Sequence, residues 1–261
     1  MKTIAICNLK GGVAKTVSCV NIAAILAHDH GKRVLVIDAD AQANATEFLG
    51  GDPQHGRLSA LLRWSGKNLS RSELFFPSVQ SSNLQGVDLI AADDTLMDLD
   101  LSSLQSEEVD VAVLRDCFRS DGIAQKYDFC LIDCPPAFNA ASAAALLAAD
   151  EVMIPIKLDA FSIRGMGNLM RQISNMRQIN PRLRVGGILP TMWYASEAIT
   201  KAERTLREHS LPVYPHIRRS PRVDDMTFAQ EPLISCSPLS GACRDYRRLC
   251  RLLVEGGAVN G

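Results

Sequence analysis

Residues 3–16, TIAICNLKGGVAKT, constrain the fold more than any other part of the 261-residue chain. The apolar run Ile4, Ala5 and Ile6 predicts a short buried strand. Two adjacent glycines, Gly11 and Gly12, break it into a loop, and a helix is expected to start near Lys15 and Thr16. Strand, glycine loop and helix together form a cradle for phosphate. Glycines let the backbone wrap an anion, the loop N–H groups and the helix N-terminus point at it, Lys15 adds positive charge, and the Thr16 hydroxyl is a ligand for Mg²⁺.

Two later segments end strands on acids. Residues 33–40, RVLVIDAD, run through four branched apolar residues into Asp38 and Asp40. A fully apolar strand after a helix marks a βαβ unit with a parallel sheet. Ligands collect at the C-terminal ends of such strands, so Asp38 and Asp40 are expected beside the phosphate loop. Residues 129–136, FCLIDCPP, repeat the pattern: an apolar strand, Asp133, then two prolines that cannot extend a ladder. A carboxylate there is placed to hold Mg²⁺ through its water shell, since magnesium takes one or two carboxylates plus substrate phosphates.

The loop departs from the common P-loop pattern, which wants glycine at 9 and 14 where this chain has Leu9 and Ala14. If position 14 needs positive φ, a Cβ there is disfavoured. The chain instead reads Lys-Gly-Gly-x-x-Lys-Thr with an additional lysine, Lys10, and so resembles the deviant P-loop of the ParA/MinD group of ATPases. The segment 38–44 is similar to that group's Asp-x-Asp-Pro-Gln-x-Asn, with Ala41 in place of proline. Asp133 resembles the Walker B acid, and 135–139 a switch loop whose position depends on the γ-phosphate. The resemblance covers nearly the whole chain, and it is closest to ParA-type partition and positioning proteins.

That resemblance implies a single P-loop NTPase domain over 1–261, a mostly parallel twisted sheet of about seven or eight strands with helices on both faces. It implies ATP and Mg²⁺ as cofactors. Lys10, Gly11, Gly12, Val13, Ala14, Lys15, Thr16 and Val17 would bind the nucleotide, with Thr191 and Met192 near adenine. Thr16, Asp38 and Asp133 would serve the metal, and Asp40 would orient or deprotonate the attacking water. Lys10 would reach across a homodimer, formed on ATP binding, to the other copy's phosphates.

Short helices are expected near 57–64 and 72–76, a strand at 87–92, and a helix at about 106–121. The stretch from Asp93 to Asp110 carries seven acids and no basic residue, either a solvated helical surface or a docking face for a basic partner segment. Further along, the pattern predicts a helix at 139–149, a strand at 151–156, a helix at 161–179, a strand at 185–192, a helix at 196–209 and a short strand at 213–217. A last helix, about 238–255, places Leu239, Cys243, Tyr246, Leu249, Cys250 and Leu253 at core spacing.

Net charge is −1, so any attraction to DNA or anionic lipid must come from a local patch. One exists. From Lys201 to Arg251 there are ten Lys/Arg against six Asp/Glu. Arg218, Arg219, Arg222, Arg244, Arg247, Arg248 and Arg251 are the candidates for non-specific DNA phosphate contacts, which weaken steeply with salt. Aromatic content of 5% argues against base stacking as the main mode. The group also implies an adaptor partner, ParB-like or other, with a basic segment that speeds hydrolysis, and a cytoplasmic, nucleoid-associated location.

A MinD-like, membrane-associated positioning ATPase is the second reading. It is disfavoured because the last helix lacks the large apolar residues of a membrane anchor. No signal peptide, N-terminal DNA-reading extension or membrane span is expected, so stable membrane insertion is not. The eight cysteines contain no Cys-x-x-Cys pair and are expected as reduced, buried thiols, which speaks against a cluster-loading ATPase of the same fold.

Overall fold

Along β1 (Lys2–Ile6) the side chains alternate between two cores. Ile4 and Ile6 face one, Ala5 and the following Cys7 the other, as the period of a strand requires. The same alternation divides β2 (Val34–Asp38) and β5 (Phe129–Asp133), so the sheet is buried on both faces. The computed structural model describes residues 1–63, 70–99, 109–120, 122–208 and 211–256, at 160–165 the backbone alone.

With β3 (Gln80–Ser81), β4 (Val87–Ile90), β6 (Glu151–Lys157) and β7 (Arg184–Thr191), the described residues form one seven-stranded sheet of order β3-β4-β2-β5-β1-β6-β7. Only the β3–β4 pair is antiparallel. The chain is thus a single α/β domain. Central β1, β5 and β2 end side by side, which brings the glycine loop, Asp133 and Asp38 to one edge.

The helices are α1 (Lys15–His30), α2 (Asn44–Phe48), α3 (Leu58–Leu62), α4 (Arg71–Phe75), α5 (Val113–Arg119), α6 (Ile123–Lys126), α7 (Ala140–Ala148), α8 (Ala160–Ile179), α9 (Glu197–Glu208), α10 (Pro221–Ala229), α11 (Leu233–Cys236) and α12 (Gly241–Glu255). Helix α1 is apolar on most faces because it is sandwiched: β1, β2 and β5 lie beneath it, and Cys243, Tyr246, Leu249, Cys250 and Leu253 of α12 cover its outer side. It stops at Gly31, whose φ of 59° suits a left-handed cap that glycine adopts without strain.

Several expected elements differ. The segment 213–217 is no strand: it meets the sheet edge through an isolated bridge of Val213 to Ile188 and a lone bond from the Ile217 N–H to Pro190 O, with a second bridge, Arg218 to Trp193, just beyond it. Prolines at 212 and 215 remove the N–H donors that a continuous ladder needs. Helix α5 is shorter than 106–121, since Asp110 starts a turn by accepting from the Ala112 N–H; residues 100–108 lie outside the described set. Helix α12 starts at Gly241, where the Ser240 hydroxyl accepts from the Cys243 N–H, and this leaves Leu239 84% exposed instead of in the core. All eight cysteines are free, and Cys236 is exposed, unlike the other seven.

The acidic stretch is also less solvated than its composition suggests. Asp93 is buried, accepts from the Ser59 hydroxyl and pairs with Arg57, while Asp98 and Asp110 pair with Arg63 and Arg71. Three of its described acids are thus held by arginines of the neighbouring segment 57–71, which composition within 93–110 does not reveal.

Candidate phosphate and nucleotide site

The loop between β1 and α1 has the geometry of an anion cradle. Gly12 has φ 67°, and a Cβ at Gly11 or Gly12 would meet nothing within 4 Å, so the inner surface is open. Ala14 takes φ 65°, ψ 37° as the residue preceding α1. The left-handed backbone that glycine usually supplies is therefore imposed here on an alanine, at a cost of about 1 kcal/mol. Two side chains brace the loop. Asn8 Oδ1 accepts from the Lys10 N–H (2.9 Å) while its Nδ2 donates to Pro155 O (2.7 Å), and Thr191 Oγ1 donates to Val13 O (3.1 Å).

Lys15 is buried, and its ammonium makes one long bond, to Lys10 O at 3.3 Å. A cation so weakly partnered is poised for a stronger acceptor. Lys10 points elsewhere. Its Nζ lies 3.0 and 3.1 Å from the two oxygens of Asp159, which follows β6. Both side chains are partly open, 40% and 28% exposed, so the pair is worth at most about 1 kcal/mol.

Asp38 and Asp133 are register partners on β2 and β5, and both are fully buried. Their surroundings differ. Asp38 accepts from the Thr46 N–H and hydroxyl (2.8 Å each) and from the Asp40 N–H (3.1 Å). Burial nonetheless pushes its carboxyl up to about 6. Neither oxygen of Asp133 has a hydrogen-bond partner, although the Thr16 hydroxyl is near enough to favour its charged form. Burial first, and then the charge of Asp38, raise the Asp133 carboxyl well above the usual range. An orphaned, dehydrated carboxylate next to a threonine hydroxyl and an open anion loop fits a divalent cation. Among the described residues no group of three or more His, Cys, Asp or Glu side chains offers a complete protein cage. Such a cation therefore has to share the site with phosphate oxygens, as Mg²⁺ does.

A cavity of about 800 Å³ opens from this edge. Gly11, Gly12, Ala14, Lys15, Thr16, Val17, Asp40, Thr191, Met192, Tyr194 and 217–221 are among its lining residues. Lys10 and Val13 are not among the lining residues, and Val13 is buried in the core. Asp40 is half-buried at the mouth, its Oδ1 accepting from the Gln42 N–H. Met192 takes φ 53°. Sequence reasoning missed Asn8, Thr46, Asp159, Lys157 and Tyr246. Thr46 and Asp159 find their partners through the tertiary fold, and no local pattern marks them.

The seven candidate DNA-contacting arginines divide. Arg218 is held by Asp245, Arg222 by Asp225 and Arg247 by Asp29. Arg219 lines the cavity. Arg244, Arg248 and Arg251 stand exposed on α12, at the i, i+4, i+7 spacing of one helical stripe, with no partner among the described residues. The patch that remains is narrower than the sequence suggests, because Asp245 and Asp29 neutralise part of it.

A parallel sheet with a glycine loop before its first helix, and buried carboxylates ending two neighbouring strands, defines a P-loop nucleotide-binding domain. Comparison with known proteins agrees. A family model described as an AAA domain matches residues 1–185. The chromosome partitioning protein ParA of Caulobacter vibrioides is 30% identical over 259 residues, 98% of this chain and 94% of its own. The chromosome-partitioning ATPase Soj of Thermus thermophilus is 31% identical over 253 residues, 95% of this chain and 94% of its own. A cobyrinic acid a,c-diamide synthase from Mycobacterium smegmatis, solved with ADP and magnesium, superposes with a TM-score of 0.77 at 27% identity, covering 98% of this chain and 94% of the other. The chain belongs to the ParA/MinD family of P-loop ATPases.

Proposed function

We propose that this chain is a ParA-type ATPase in which ATP and Mg²⁺ join two copies face to face, and that the dimer binds DNA non-specifically until hydrolysis, stimulated by a partner with a basic segment, releases it. The observation that carries the reading is the unsatisfied Asp133 carboxylate beside Thr16 and the open glycine loop. Thr16 and Asp133 would hold Mg²⁺, with Asp38 behind them already saturated by Thr46 and Asp40. The metal supplies charge neutralisation of the phosphates. Loop N–H groups and Lys15 bind and orient the phosphates, and Asp40, at the open edge, is placed to orient water or accept its proton.

Lys10 is the element that would make the reaction depend on a second copy. In the single chain it rests on Asp159, and breaking that exposed pair costs at most about 1 kcal/mol. A phosphate cluster offered by another copy easily exceeds that. The test is Lys10→Ala with a non-hydrolysable ATP analogue, followed by light scattering. Nucleotide affinity is expected to stay within about threefold of the unmodified protein while the dimer is lost. A normal analogue-induced dimer would remove the cross-subunit role.

DNA contact rests on the α12 stripe, whose charge a dimer doubles without any new contact. Arg248→Glu combined with Arg251→Glu is expected to lower duplex affinity at least about tenfold and to flatten its salt dependence, leaving nucleotide affinity unchanged. Fluorescence anisotropy at two salt concentrations reads both. Undiminished affinity would move the surface elsewhere.

The membrane reading lacks a structural basis. The apolar side of α12 is already buried against α1, and no helix of the described residues is long and apolar enough to cross a membrane.

A further inference from the structure

The cavity that the glycine loop lines also carries a guanidinium that is clamped before any ligand arrives. Arg218 donates from Nε to Asp245 Oδ2 (2.7 Å) and from Nη2 to Asp245 Oδ1 (2.8 Å), and its backbone N–H donates to the same Oδ2 (3.0 Å). The Asp245 side chain is only 12% exposed, against 49% for that of Arg218, so the acid is the fixed member and the arginine the presented one. Two parallel bonds set the plane of the guanidinium as well as its position.

Gly241 makes this arrangement possible. A Cβ on this first residue of α12 would stand 2.5 Å from Arg218 Cδ and 2.9 Å from its Nε. The arginine therefore lies directly across the helix start. Its backbone is fixed as well. Trp193 donates its N–H to Ile217 O (3.0 Å), and Arg219 donates to Trp193 O (2.7 Å), which ties the Arg218 segment to the turn carrying Met192 and Tyr194. Arg218, Met192 and Tyr194 all line the cavity that holds the glycine loop.

We propose that Arg218, clamped by Asp245 across Gly241, is a nucleobase-contacting residue that presents a flat, preorganised guanidinium to the purine of a nucleotide whose phosphates lie in the Gly11–Gly12 loop. The inference rests on the nucleotide reading above. Its chemistry favours a base over a DNA phosphate. A phosphate takes an N–H fork of an arginine, and here Asp245 already holds the Nε–Nη2 fork and offsets the charge, which leaves only the Nη1 side. The face of the guanidinium is left for stacking on a neutral aromatic ring. Because the side chain is ordered in advance, little conformational entropy is lost when the base binds.

Tripolyphosphate, which carries the phosphates without the base, separates this role from any other. Calorimetry with a non-hydrolysable ATP analogue and with tripolyphosphate is done on the full chain and on Arg218→Ala, Asp245→Asn and Gly241→Ala. Each variant is expected to lose about tenfold in affinity for the analogue and to hold tripolyphosphate within about twofold. Gly241→Ala is the most telling, since it removes no polar group and acts only by displacing Arg218 from Asp245, so its melting temperature should fall no further than that of Arg218→Ala, which breaks the same pair. Equal losses for both ligands, unchanged analogue affinity in Arg218→Ala, or loss of duplex DNA with nucleotide affinity intact would each overturn the role. An unmodified protein that binds the analogue no tighter than tripolyphosphate would overturn the base contact and leave the phosphate site standing. One that binds neither would overturn the nucleotide reading, and this inference with it.

Discussion

Lys15→Ala is expected to lower affinity for ATP by at least about a hundredfold while leaving the fold intact. The Lys15 ammonium is almost wholly buried, and its one bond, to Lys10 O, is long at 3.3 Å. The nearby Asp133 carboxyl offers the buried cation charge but no direct bond, and phosphate oxygens supply the missing acceptors. Charge-assisted bonds of this kind contribute about 1.5–3 kcal/mol each, and every ~1.4 kcal/mol is a factor of about ten in affinity. Two such contacts from one ammonium account for the expected loss. Alanine suits the first turn of a helix, so the variant should melt at or slightly above the temperature of the unmodified protein. Calorimetric titration with an ATP analogue, alongside thermal melting, reads both quantities. Undiminished affinity in a folded variant would remove Lys15 from the phosphate site.

The second large effect combines a gain and a loss. Asp133→Asn is expected to stabilise the nucleotide-free protein by about 1–3 kcal/mol and to reduce ATP turnover by at least about a hundredfold. Asp133 lies opposite Asp38 on the adjacent strand, both sealed from solvent, and only Asp38 has donors. Asparagine keeps the shape, replaces a carboxyl that burial and Asp38 make costly to ionise, and supplies an N–H₂ group facing the Asp38 carboxyl. The same change removes the charge proposed to hold the cation. Stability and activity should therefore move in opposite directions, the pattern of a site strained for function. Denaturant unfolding without nucleotide and a phosphate-release assay provide the two measurements. A variant that is less stable than its parent would mean that the Asp133 carboxylate has a stabilising partner, contrary to its isolation here.

Much of this site is legible in the sequence because its signals are local. Gly11 and Gly12 announce a loop that must approach an anion closely, and the apolar runs ending at Asp38 and Asp133 announce buried parallel strands with ligand-facing ends. The proline-bounded segment 213–217 shows where local reading fails. Its apolar residues fit a strand, yet pairing depends on donors that Pro212 and Pro215 cannot offer. Leu239 fails for a related reason: helical spacing includes it, but the Ser240 cap starts the helix after it.

The chain by itself determined most of the alternation of strands and helices, the phosphate loop and the acids that flank it, since each depends on backbone conformation and periodicity over a few neighbouring residues. Only the tertiary structure decided which charges are already neutralised. Lys10 meets Asp159, Arg218 meets Asp245, Arg247 meets Asp29 and Asp38 meets Thr46, while Asp133 meets no partner. Such pairings are set by how helices dock across a sheet, between residues up to 218 positions apart. No periodicity records that distance, because the free energy selecting each partner comes from burial and packing of the assembled layers.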